Sequence, residues 1–147
     1  MNIKRNINRK SQDIQMSDKT TVLRGFNMMF FEFLNEIETI FPENTDIKDA
    51  KVGLELFKKA NPTSVIKAWH YFVYQPYKEE IAKGDITFFC DKDYRSDLAH
   101  MSNSDEIMKA IHRIRDPIKS MSEENKKTAL KYVANLCRLS DVYSKLS

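Results

Sequence analysis

A chain of 147 residues encloses one hydrophobic core and is short for two ordinary domains. Three glycines and four prolines are too few for a β-sandwich or a nucleotide-binding α/β sheet, whose turns use these residues repeatedly. The net charge of +3 names no partner by itself, and two distant cysteines, Cys90 and Cys137, make no disulfide framework.

The distribution of charge says more than its sum. Residues 1–24 carry six Lys/Arg against two Asp, residues 25–104 nine against thirteen acidic groups, and residues 105–147 nine against six. Basic ends around an acidic middle fit self-assembly or nucleic-acid contact, or simply a solvated tail. Residues 1–17 lack apolar periodicity and read as a flexible basic tail, with Lys4, Arg5, Arg9 and Lys10 as its cations. They hold no apolar h-region, so no secretory signal is expected, and no apolar run is long enough to span a membrane. The expected setting is intracellular and reducing.

Residues 18–147 read as a single helical domain. Leu23, Phe26, Phe30, Phe33, Ile37 and Ile40 recur at spacings of 3 and 4, one stripe of a helix, broadened by Met29 and Leu34. Asp18 or Ser17 caps its start, and Pro42 ends it after Phe41. A second helix starts near Thr45 or Asp46 and buries Ile47, Ala50, Leu54 and Phe57. Gly53 inside it costs about 1 kcal/mol relative to alanine, a cost that the close approach of a neighbouring helix would explain.

In "KKANPTSVIKAWHYFVYQP", Asn61 is the expected N-cap and Pro62 the first helical residue. Val65, Ile66, Trp69, Phe72 and Val73 then form the buried face, and Pro76 ends, kinks or restarts the helix. "YKEEIAKG" is a further short helical run with Gly84 as its C-terminal glycine. "ITFF", from Ile86, has strand composition, but nothing is available to pair with it, so a turn of helix running into a loop is expected. Asn103 and Glu106 form a capping box ahead of Ile107, Ile111, Ile114 and Ile118, with Pro117 kinking or splitting that helix. Ser122 starts the last helix, which reaches Lys145. Leu130, Val133 and Cys137 share one face of it, with Ala129, Ala134, Leu136 and Val142 nearby. The fold class is all-α: a single compact bundle of six or seven helices with prolines at the junctions.

Catalytic motifs are scarce. The run from Asp91 to Asp97 offers oxygens at calcium-loop positions one, three and seven, but Ser96 stands where glycine is needed and Ser102 where the bidentate glutamate is needed. As a phosphotransfer D-x-D it lacks a parallel sheet, so it reads as a solvated acidic loop. His70, His100, His112, Cys90 and Cys137 are too scattered for a metal site, and no cofactor fingerprint or nucleophile elbow occurs. No enzymatic activity, cofactor or metal is therefore expected.

Eight of the sixteen aromatic residues lie between Ala68 and Tyr94. At 100° per residue Trp69 and Phe72 fall with the core, whereas Lys67, Tyr71 and Tyr74 fall opposite, joined by Lys78 if the helix continues past Pro76. Tyrosines flanked by lysines suit a recognition surface. The alternative is that another helix covers the two tyrosines. Lys67, Tyr71, Tyr74 and Lys78 are thus the candidate partner-binding residues.

The stretch Phe26–Leu98, with "IFP" before "DI", "KKANP", "PYKEEI", "GDI" before "FF", and "KDY" before "DL", resembles small uncharacterised proteins encoded by large DNA viruses of algae and other protists. It covers about half the chain and brings no site residues with it. The resemblance implies a viral context, an infected host cell or a virion. The leading expectation is a non-enzymatic protein–protein interaction or self-association role, as a minor virion or assembly component. The alternative is a nucleic-acid-binding protein that uses the basic N-terminal tail and the C-terminal helices.

Overall fold

The phenylalanine-rich stripe folds as α1, Lys19–Ile40, in a computed structural model that describes residues 18–83 and 106–146. Asp18 is the N-cap and accepts from the Thr21 N–H at 3.4 Å. The buried positions are Val22, Phe26, Phe30, Phe33, Leu34 and Ile37, so the stripe begins at Val22, while Leu23 and Ile40 lie at its margin. Each such side chain contributes about 1.5–3 kcal/mol relative to remaining in water. The Phe41 N–H closes the helix on the Ile37 carbonyl, and Pro42 turns the chain.

α2, Thr45–Ala60, is capped by Asn44, whose side chain accepts from the Ile47 N–H at 3.1 Å. Asp46 lies in its first turn and Lys58 and Lys59 in its last, both favourable to the helix dipole. Ile47, Ala50 and Leu54 are buried, and Phe57 is partly covered. A methyl placed on Gly53 would meet nothing within 4 Å. Close helix approach therefore does not explain this glycine.

The next helix does not begin at Pro62. Asn61 is the C-cap of α2, and its Oδ1 accepts from both the Thr63 N–H and the Thr63 hydroxyl, at 3.0 and 2.8 Å. These local bonds hold Pro62 and Thr63 in a turn, which delays the helix to Ser64. α3 then runs without a break through three pieces: an α-helical Ser64–Trp69, a π turn His70–Tyr74, and an α-helical Gln75–Ala82. In the π turn the Gln75 N–H reaches back five residues to the His70 carbonyl. Pro76 follows at once, and Tyr77 has non-helical angles (φ −123°, ψ 18°). The kink expected at Pro76 is thus present, set between a widened turn and a bent residue.

α4, Glu106–Lys119, contains Pro117 and buries Ile107, Ile111, Ile114 and Ile118, together with Arg115. α5, Glu123–Lys145, starts at Ser122, whose hydroxyl accepts from the Asn125 N–H at 3.2 Å. Its buried face holds Ala129, Val133, Leu136, Cys137, Ser140 and Tyr143. Val142 points outward and Tyr143 takes the inward place.

Five helices, and no strand, make up the described residues. The six or seven helices expected from the sequence take the prolines as junctions. Pro76 sits beyond a π turn, and Pro117 lies inside α4, which stays helical to Lys119 despite the N–H that proline lacks. The expected tail 1–17, the "ITFF" stretch, the Asp91–Asp97 run, Gly84 and Asn103 lie outside the described residues.

α1 and α2 are antiparallel. Their contacts run in opposite order: Asn27 Nδ2 donates to the Pro62 carbonyl at 3.0 Å, Lys58 lies 4.7 Å above the Phe31 ring, and Lys51 pairs with Glu38 at 3.6 Å. α5 is antiparallel to α1, with Tyr132 stacked on Phe33 at 5.1 Å and Lys19 over the Tyr143 ring at 4.7 Å. α3 packs beside α5, with α2 and α4 paired on the other side of the core. At the centre, the Trp69 ring meets Phe26 and Phe30 edge-on, with centroids 6.3 and 5.8 Å away.

Candidate interaction surface on the third helix

α3 places its residues according to the π turn. Val65, Trp69, Val73, Tyr77 and Ile81 recur every four residues, and all are buried or packed against the core. In an unbroken α-helix such a row drifts by about 40° per step and would leave the core within a few turns. A π turn spends one extra residue and so sets the helix back by about 100°, which returns the row to the core. The spacing of four is the legible signal for this turn, and a wheel of constant 100° per residue does not register it.

The same setback separates the two tyrosines. Tyr71 is 66% exposed, with its ring edge-on to Phe72 at 4.9 Å. Lys67, one turn earlier, and Lys78, beyond the kink, are also exposed. Tyr74 is half-buried against the core and faces α5. Phe72 is half-buried, not fully interior. The structure thus keeps Lys67 and Tyr71 on the outside and turns Tyr74 in. The basic residues Lys4, Arg5, Arg9 and Lys10 lie outside the described residues.

On the inner side of α3 lies a polar seam that the sequence did not reveal. The Tyr74 ring stacks on His70 at 5.3 Å and 21°. Its hydroxyl faces the charge of Asp141 on α5, which pairs with Lys145 at 3.0 Å. Burial raises the Tyr74 hydroxyl pKa above its ordinary value, and the Asp141 charge adds to the rise. Burial lowers the His70 pKa, against a smaller upward pull from Asp141. His70 Nε2 lies 3.1 Å from Gln75 Nε2, while His70 Nδ1 is buried with no hydrogen-bond partner among the described residues. One turn away, the Trp69 indole N–H donates to Cys137 Sγ at 3.3 Å. Burial pushes the Cys137 thiol up to about 12, the indole bond opposing only slightly. A thiol so held is protonated and inert as a nucleophile.

A second surface lies on α5. Lys127, Lys131, Arg138 and Lys145 are all exposed and fall within about 40° of one another on the helix, opposite its buried face. They span about 27 Å of axis. Among the described residues, no three His, Cys, Asp or Glu side chains gather where a metal ion would bind. Cys90 and His100 lie outside the described residues, as does the side chain of His112. No helix among the described residues is long and apolar enough to cross a membrane. Compared with known proteins, the chain matches no family model, no curated protein and no solved structure.

Proposed function

We propose that this chain is a non-enzymatic interaction protein whose contact surface is the outer side of α3 centred on Tyr71. The exposed Tyr71 ring carries the reading: it is held edge-on by Phe72, with Lys67 one turn before it. An aromatic side chain already fixed in place loses little entropy on binding, and such residues commonly dominate interface energy. The exposed Val52 and Leu56, one turn apart on α2, add apolar surface available to a partner. The resemblance of Phe26–Leu98 to proteins of large DNA viruses supplies the context we propose, a minor virion or assembly component acting through protein contacts or self-association.

The test pairs stability with association. Tyr71→Ser removes little buried area and should change stability by less than about 0.5 kcal/mol. Tyr74→Ser, which loses the stack on His70 and its packing against the core, should cost about 1–2 kcal/mol. Light scattering over a concentration series, with co-purification from the native source, should then show association weakened by Tyr71→Ser. A chain that stays monomeric, with the same co-purifying proteins as the Tyr71→Ser variant, would remove this reading.

The stripe Lys127, Lys131, Arg138 and Lys145 favours a second reading, nucleic-acid binding through α5 and the basic N-terminal residues. Such binding would be sequence-independent and steeply salt-dependent. Its log K against log salt slope should flatten when residues 1–16 are deleted or when Lys127, Lys131 and Arg138 become glutamine.

A further inference from the structure

The outer side of α2 carries an ordered stripe that the rest of the described bundle leaves open. Asp49, Val52, Leu56 and Lys59 follow one another at spacings of 3, 4 and 3. They fall within about 80° of one another on the helix, opposite the buried Ile47, Ala50 and Leu54. Val52 is 57% exposed and Leu56 61%. Asp49 and Lys59 are exposed as well, and neither has an ion-pair partner among the described residues. The flanks of α2 are already taken: Lys51 and Lys58 reach α1, and Gly53 and Phe57 border α4. The alternating 3 and 4 spacing is that of the seam between two helices packed side by side.

An apolar centre with opposite charges at its two ends selects its own partner. The level of Leu54 is the midpoint of the stripe, with Val52 and Leu56 the inner pair about it and Asp49 and Lys59 the outer pair. Two such helices laid antiparallel about a two-fold axis at that level face Val52 with Leu56 and Asp49 with Lys59, each contact made twice. Laid parallel, they would face Asp49 with Asp49 and Lys59 with Lys59, like charge on like. Within one helix the two charges stand about 15 Å apart along the axis. That is more than a Debye length of about 8 Å at physiological salt, so each end is read by the charge directly opposite it.

We propose that the outer face of α2 binds a second copy of this chain, as an antiparallel helix pair on a two-fold axis level with Leu54. The proposal rests on the self-association reading and gives it a surface of its own, since Tyr71 stands on α3. α2 has 16 residues and is about 24 Å long, so one of its faces falls short of the roughly 800 Å² per partner of a standard interface. The pair is therefore weak and forms at high local concentration. It also weakens with added salt, because its outer contacts are ionic.

The experiment is sedimentation equilibrium of the full chain at low salt, carried up to about millimolar concentration. Wild type should show a monomer–dimer equilibrium. Leu56→Lys, Asp49→Lys and Lys59→Asp should each weaken it at least about tenfold, the two charge variants because they turn both opposite-charge contacts into like-charge ones. All three positions are exposed, so far-UV circular dichroism should match wild type and show that the variants fold. Lys48 and Glu55, which border one edge of the stripe, stay constant throughout. Mixed together, Asp49→Lys and Lys59→Asp chains should dimerise again, since every lysine then faces an aspartate across the axis. A wild-type chain that stays monomeric, a dimer that the three variants leave unchanged, or charge variants that fail to recover on mixing would each overturn the proposal. Association lost in Tyr71→Ser but kept in Leu56→Lys would overturn it and spare the α3 surface. Association kept in Tyr71→Ser and lost in Leu56→Lys would support it, and would remove self-association from the α3 surface.

Discussion

Replacing Trp69 by alanine removes the largest fully buried side chain from the centre of the bundle. Deleting a buried tryptophan costs about 3–5 kcal/mol, combining lost transfer energy with the cavity left behind. The upper part of that range applies here. The indole meets Phe26 and Phe30 edge-on, and each such pair adds about 0.5–1.5 kcal/mol beyond buried area. Its N–H also leaves Cys137 Sγ without its donor. Neighbours on α1 and α5 are fixed by long helices, so the cavity collapses only in part. A loss of about 4–5 kcal/mol is a large share of the roughly 5–15 kcal/mol that holds a domain folded. At about 3 °C per kcal/mol for a chain of this length, melting falls by about 12–15 °C. Trp69→Phe keeps a ring at the junction and should cost less, about 1–2 kcal/mol. Because Trp69 is the single tryptophan, the comparison uses urea denaturation followed by far-UV circular dichroism. A Trp69→Ala midpoint within about 1 kcal/mol of wild type would show that the centre of the core lies elsewhere.

Gly53→Ala should stabilise the protein by up to about 1 kcal/mol, since a methyl there meets nothing within 4 Å and alanine favours the helix; a destabilised variant in the same urea assay would mean that the position is filled. In a Cys90→Ser background, Cys137 should resist an aromatic disulfide reagent in the native state and react at once in denaturant, because its thiol is buried and held up to about 12. Its raised pKa favours the protonated, folded form, so that contribution is complete below pH 9.0 and is lost as pH rises toward about 12. Cys137→Ala should flatten that alkaline decline, as read from urea midpoints measured between pH 8 and pH 11.

The amino-acid pattern determined by itself whatever depends on neighbours within one turn. The α1 stripe with a cap at Asp18 or Ser17, the cap at Ser122, the isoleucine row of α4 and the reach of α5 to Lys145 all follow from spacing and local hydrogen bonds. Asn61 shows where even local reading divides. One side-chain oxygen serves equally to cap a helix or close a turn, and the turn won, with Thr63 supplying two donors. The facing of the tyrosines lay beyond such reading. Tyr71 and Tyr74 are equivalent to a wheel of constant pitch, and the π turn that separates them is held in place by packing of Trp69, Val73, Tyr77 and Ile81 against the core. Only the tertiary fold could bring Cys137 beneath the Trp69 indole and Asp141 within reach of Tyr74, since those partners stand more than sixty residues apart. Periodicity records which side of a helix is buried. It does not record which helix covers it, or which polar atom waits there, because those depend on distances that close only when the helices pack.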